Sequence, residues 1–252
     1  MDDSDGNARE EISLLDSLSH EWLKLPLSIM RDVGPAVQTL GGILRVASKE
    51  TFVAARAIAE KSRLPVPTAR KHLVTLHERG WILNEGRGRT RAGRARRTCT
   101  ITLTAKTKAA MSDYGILPWW ACCYISRIGR LPWSAKMVLS VIMARLAAFK
   151  AAIERQEGYA PDDEDFWGTQ ANMGGEGRFR YSLHYLEKET GLHRESIVDA
   201  KRRLAKLGII DWIRGDDGCD LLCPNAAFRV VVTPTTEGHC TLAFAKGSET
   251  GQ

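Results

Sequence analysis

The sequence predicts a mainly α-helical protein with small β-hairpins, an α+β class, built as two successive units of one grammar. Three observations predict it. Apolar residues recur at helical spacing in paired segments, a glycine closes each pair, and a short β-branched run follows each glycine. The pairs are "AARAIAEKSRLPVPTARKHLVTLHERGWI" and "SLHYLEKETGLHRESIVDAKRRLAKLGIIDWI".

Residues 1–24 are acidic and polar and are expected to be flexible, with at most a short amphipathic turn at "ISLLDSL". The first unit spans 25–110. From Leu27 to Ala47 apolar residues keep helical spacing, but Gly34-Pro35 and Gly41-Gly42 interrupt it, so two helices or one broken helix are expected. Phe52, Ala55, Ile58 and Ala59 mark the next helix. Pro65 and Pro67 stop it, because proline lacks a donor and biases the residue before it away from helix. Pro67 suits the first turn of the following helix, in which Ala69, His72, Leu73 and Leu76 share an inward face. Gly80 closes that helix. "WIL" and "CTITLTA" read as strands, with "EGRGRTRAGRARRT" at the tip of the hairpin between them.

Residues 111–131 form a linker in which Trp119, Trp120 and Tyr124 are expected to pack the units together. The second unit spans 132–245, and 246–252 is a tail. It opens with a strong helix, "PWSAKMVLSVIMARLAAFKAAIE", with Ser134 near its start. An acidic, glycine-rich surface loop follows over 158–179. Next come a helix, a turn at Gly191, a helix burying Ile197, Ala200 and Leu204, the Gly208 stop and the hairpin "RGDDGCDLLCPNAAFRVVV".

Charge is unevenly placed. The net charge is +6, yet residues 1–60 carry 6 basic and 10 acidic groups, residues 61–110 carry 13 and 2, and residues 111–252 carry 17 and 18. The positive field is therefore local to one short segment, as an anion-binding face requires. Arg87, Arg89, Arg91, Arg94, Arg96 and Arg97 fall within eleven positions, spaced by small residues. Such a run cannot enter a core.

No stretch reaches eighteen consecutive apolar residues, so no membrane partner is expected. The acidic N-terminus is unlike a secretory signal, which points to a cytoplasmic, nucleoid-associated location. The six cysteines are then thiols. Cys219 and Cys223 form CxxxC upstream of His239 and Cys240, wider than the usual zinc pair, so no metal and no other cofactor is expected. "GGEGRFR" lacks the Lys-Ser/Thr ending of a phosphate loop, and "DDEDF" supplies carboxylates in one run rather than from separate strands. No enzyme is expected, and no catalytic residue.

Two helices joined by a turn and followed by a hairpin resemble a winged helix-turn-helix, here twice in tandem. "LPVPTARKHLVTLHERGWI" and, more closely, "ETGLHRESIVDAKRRLAKLGIID" carry the resemblance, over about three fifths of the chain. The tandem, with a long helix opening the second unit, is similar to plasmid and phage replication initiators. That resemblance implies a sequence-specific double-stranded-DNA-binding protein that starts replication at origin repeats, with host replication proteins as further partners. The alternatives are a transcription regulator binding an operator as a dimer, and an interaction module for protein or RNA. On the DNA reading Thr68, Arg70, Lys71, Val74 and Thr75 face the major groove. The arginine wing meets phosphates or a narrow minor groove. His72 and His77 are packing or capping groups. The second unit presents His193, Arg194, Ser196, Arg202 and Arg203, but also Glu195, Asp199 and the wing acids Asp216, Asp217 and Asp220. It is therefore either a second DNA contact or a homodimer contact.

Overall fold

The computed structural model describes residues 10–13, 22–46, 52–85, 99–112, 114–118, 121, 131–155, 179–214, 219–225, 229–234 and 240–245. The chain is mainly helical, with small antiparallel sheets. Among the described residues no helix is long and apolar enough to cross a membrane.

Strand β1 (Glu10–Ser13) is followed by β2 (Trp22–Pro26), helix α1 (Leu27–Val33), a 3-10 turn at Gly34–Ala36 and α2 (Val37–Val46). The 1–24 segment is thus not loose throughout, since two strands begin in it and find distant partners. The interruption at Gly34-Pro35 is real, but Gly41-Gly42 lies inside α2. There glycine serves close packing. A Cβ at Gly41 would lie 3.0 Å from Leu23 and Leu25 side-chain atoms, and one at Gly42 would lie 2.0 Å from Ser62 Oγ and 2.9 Å from the Ile58 carbonyl.

Strand β3 is Phe52–Val53, so Phe52 lies just outside the helix expected for it; α3 is Ala55–Lys61 and α4 is Val66–Glu78. Then come β4 (Ile82–Asn84), β5 (Cys99–Leu103), α5 (Ala105–Ala110) and β6 (Tyr114–Pro118). The sheet order is β3-β5-β4. The 111–131 segment does contribute packing: its β6 pairs with β2, from Trp22↔Pro118 to Pro26↔Tyr114. Trp119, Trp120 and Tyr124 lie outside the described residues.

Helix α6 (Trp133–Arg155) opens the second half, followed by β7 (Phe179–Ser182), α7 (Leu183–Thr190), α8 (Arg194–Lys206), β8 (Ile210–Arg214) and β9 (Cys219–Pro224). Its sheet order is β7-β9-β8, matching β3-β5-β4. Both halves run helix, short strand, helix, helix, hairpin, and in both the last strand pairs centrally. Strands β10 (Arg229–Pro234) and β11 (Cys240–Ala245) join β1 in a separate sheet ordered β1-β10-β11.

Helix α6 is the axle of the molecule. Ala135 to Met143 are buried without a break, including Lys136 and Ser140. A helix buried all round needs partners on every side, and α6 packs on β6, α7 and α8. One continuous core joins Leu73, Leu76 and Ile82 of the first unit to Ile197, Leu204 and Leu222 of the second.

Candidate nucleic-acid interface

The turn between α3 and α4 is seated by α2. Gln38 Nε2 donates to the Ser62 carbonyl at 2.7 Å, and Ser62 is fully buried. Arg63 takes φ 52°, a left-handed conformation for a residue with a side chain. Helix α4 then starts behind Pro65, with Pro67 in its first turn, where a missing N–H costs nothing.

Ala69, Leu73 and Leu76 are buried, as their spacing predicts. On the opposite side Arg70, Lys71 and Val74 are exposed, while Thr68 and Thr75 are half-buried. Thr75 Oγ1 turns back onto the Lys71 carbonyl at 3.3 Å. No acidic side chain among the described residues pairs with Arg70 or Lys71, so both cations are available to an outside anion. His72 shares a hydrogen bond with Thr39 Oγ1 at 2.9 Å. Burial first, and the Lys71 charge second, lower its pKa from the ordinary 6.5. His77 sets its Nδ1 against the Ile82 carbonyl and the Asn84 amide, fixing the root of β4 to the end of α4. Both histidines pack or cap.

The hairpin root is braced at several points. Trp81 Nε1 donates to Asp32 Oδ2 at 2.6 Å, and Arg79 lies 3.7 Å from the same carboxylate. Lys106 Nζ sits 3.6 Å above the Trp81 ring. Thr104 Oγ1 donates to the Gly80 carbonyl at 3.0 Å, and Thr107 Oγ1 donates to that of Trp81. The stem pairs Ile82↔Leu103 through Asn84↔Ile101. Arg87, Arg89, Arg91, Arg94, Arg96 and Arg97 join these two strands and lie outside the described residues.

The second unit repeats the first in register. Each position of α8 lies 128 residues after its counterpart in α4, from Val66 and Arg194 to Glu78 and Lys206. The terminating bonds match as well: Trp81 N to Leu76 O at 2.9 Å, and Ile209 N to Leu204 O at 3.0 Å. The outward chemistry differs. Arg194 Nε lies 3.4 Å from Glu187, and Arg202 Nη1 donates to Asp199 Oδ1 at 3.0 Å. Arg203 is exposed with no acidic partner among the described residues, and Ser196 is half-buried.

Asp220 requires a correction. It is not an outward wing acid, because it accepts an ion-paired hydrogen bond from Lys201 Nζ. Lys201 is only 2% exposed and lies 4.8 Å over the Trp212 ring. The β-ladder sets Asp220 beside Tyr181 and Arg214, facing α8, which removes one charge from the acidic wing. Asp216 and Asp217 lie outside the described residues. Lys201 was legible in principle, since it follows Ile197 by four positions and so shares its buried face. Cys219 and Cys223 lie on one strand, about 13 Å apart along it, too far to grip one ion together.

A third feature had no sequence signal. Helix α1 touches both units through neighbouring residues. Asp32 holds Trp81 and Arg79, while Arg31 Nη1 donates to the Lys188 carbonyl and lies against Gly191. A separate groove of about 560 Å³ is lined by Leu27, Tyr114, Val141, Arg145, Tyr185 and Glu189, among others. The Arg145 guanidinium there lies over the Tyr181 and Tyr185 rings, at 5.1 and 5.8 Å.

Comparison with family models, curated proteins and solved structures finds no match for this chain.

Proposed function

We propose that this chain is a double-stranded-DNA-binding protein made of two winged helix-turn-helix units in tandem. The observation that carries the reading is the outer face of α4. It offers exposed Arg70 and Lys71 without acidic partners among the described residues, next to a hairpin that strings six arginines between its strands. A helix of this kind fits the major groove, and an arginine wing beside it neutralises neighbouring phosphates. The matched register of α4 and α8 supports two readers rather than one. The biological role we assign is initiation of replication at repeated origin sites, on the resemblance of the tandem to plasmid and phage initiators. A footprint over repeats beside an origin supports it; one palindrome over a promoter supports the regulator instead.

The primary test is selection from random duplexes, followed by binding titrations across salt. With about six phosphates neutralised, log K falls against log salt with a slope of about −5. Arg70→Ala changes base preference. Arg91→Ala or Arg94→Ala weakens all duplexes alike and flattens the slope by about 1. A chain that retains no duplex, or retains all with a flat salt response, removes the proposal.

A further inference from the structure

Helix α8 carries a carboxylate where a DNA-facing helix normally avoids one. Asp199 is 73% exposed and its partner Arg202 62%, one turn apart and held at 3.0 Å. An acid on this face repels every phosphate it approaches, so non-specific contact gives it no use. The major groove offers it one strong partner, the exocyclic amino group of cytosine, while arginine fits the O6 and N7 acceptors of guanine. The bond to Asp199 also holds the Arg202 guanidinium in place, so less freedom is lost when it meets a base edge.

The counterparts in α4 are different residues. Asp199 corresponds to Lys71, and Arg202 to Val74, which is 52% exposed. A lysine at the first position suits guanine or phosphate. An exposed valine at the second has no polar contact to make and suits the thymine methyl group.

Resting on the DNA-binding reading above, we propose that the two units read unlike half-sites: Asp199 and Arg202 together read a cytosine and a guanine, whereas Val74 packs on a thymine methyl. Asp199 is then a specificity residue rather than a surface charge. The natural target is one composite element with two different parts, not a repeat of one half-site within a single protein footprint.

The test is selection from random duplexes with the wild-type chain, Asp199→Asn, Asp199→Ala, Arg202→Ala and Val74→Ala. Asp199 and Arg202 are exposed, so these changes leave the core untouched. The wild type is expected to recover two dissimilar elements. Asp199→Asn moves the preference at one cytosine position by about tenfold, because an amide accepts from adenine N6 and also donates to its N7, which a carboxylate cannot do. Asp199→Ala raises binding to non-cognate duplex while losing that cytosine. Val74→Ala reduces the thymine preference in the other element and leaves the cytosine intact. An unchanged motif for Asp199→Asn, or two identical elements in the wild type, overturns the inference. A single protected element with no effect of Arg202→Ala also overturns it, since α8 is then off the DNA while the α4 reading stands. Failure to recover any duplex instead removes the DNA-binding reading itself.

Discussion

Helices α4 and α8 are the same length, end in the same hydrogen-bond pattern and sit in the same order of elements, yet they are anchored differently. Leu73 fills the core beneath α4. At the matching place α8 buries Lys201 and neutralises it with Asp220 from its own hairpin. At this position the first unit makes apolar contact, and Arg70 and Lys71 on its outer face have no acidic partner among the described residues. The second places an ion pair there and ties Arg194 and Arg202 to neighbouring acids. One backbone frame thus supports an open cationic face and a self-paired one.

The contrast breaks most visibly at the buried charge. Lys201→Ala leaves Asp220 without its partner and is expected to cost about 3 kcal/mol in urea unfolding, from the range for severed buried pairs. Replacing both members, as Lys201→Met with Asp220→Leu, is expected to return most of that, because each charge is removed with its partner. Leu73→Ala in the first unit is expected to cost about 2–4 kcal/mol through lost contact and a cavity, with no second-site rescue at the hairpin. A Lys201→Ala protein as stable as wild type would mean the pair anchors nothing.

The parts of the fold visible in the sequence are those decided locally. Glycine stops at 80 and 208, Pro67 in a first turn and the series Ala69, Leu73, Leu76 and Ile197, Ala200, Leu204 all follow from residues a few positions apart. The features that escaped are decided at long range. Gly41 and Gly42 read as breakers, but their missing side chains let β2 and α3 approach α2. Strands β2 and β6 are short, and nothing in either names a partner some ninety residues away. Phe52 keeps helical spacing yet pairs with Thr100. In the candidate site, the exposed face of α4 was legible because amphipathic spacing reveals both sides of a helix. For Lys201 the spacing gave the buried face but not the reason for a charge there, which comes only from Asp220 on the neighbouring hairpin. Arg31 and Asp32 gave no signal, since their partners belong to two different units.

A second difference sharpens with pH. His72 lies 128 positions before Ala200, so only α4 carries a titratable group at this place. Its folded pKa lies below 6.5, held down by burial and by Lys71. As pH falls through 6.5, the unfolded chain takes up the proton before the folded one does. Stability is therefore complete above about 6.5 and declines below it, by at most about 1.4 kcal/mol per pH unit, until the folded pKa is passed. Amide exchange between pH 7 and 5 is expected to loosen α4 relative to α8. His72→Gln should abolish that difference while keeping a partner for Thr39. Equal loosening of both helices in the wild type would place the acid response elsewhere.

The smallest effect is the one in which the units should agree. Gly80 and Gly208 hold φ 71° and 69°, and a Cβ at either would meet nothing within 4 Å. Alanine there costs only the left-handed backbone strain, about 1 kcal/mol at each site. Because neither site adds a clash, the two losses should be equal within error and additive in the double variant, since the stops share no partner. Unequal losses would show that one glycine does more than end a helix. A larger penalty at Gly80 would trace to its carbonyl, which accepts from Thr104 at 3.0 Å and so couples the stop to the braced arginine hairpin.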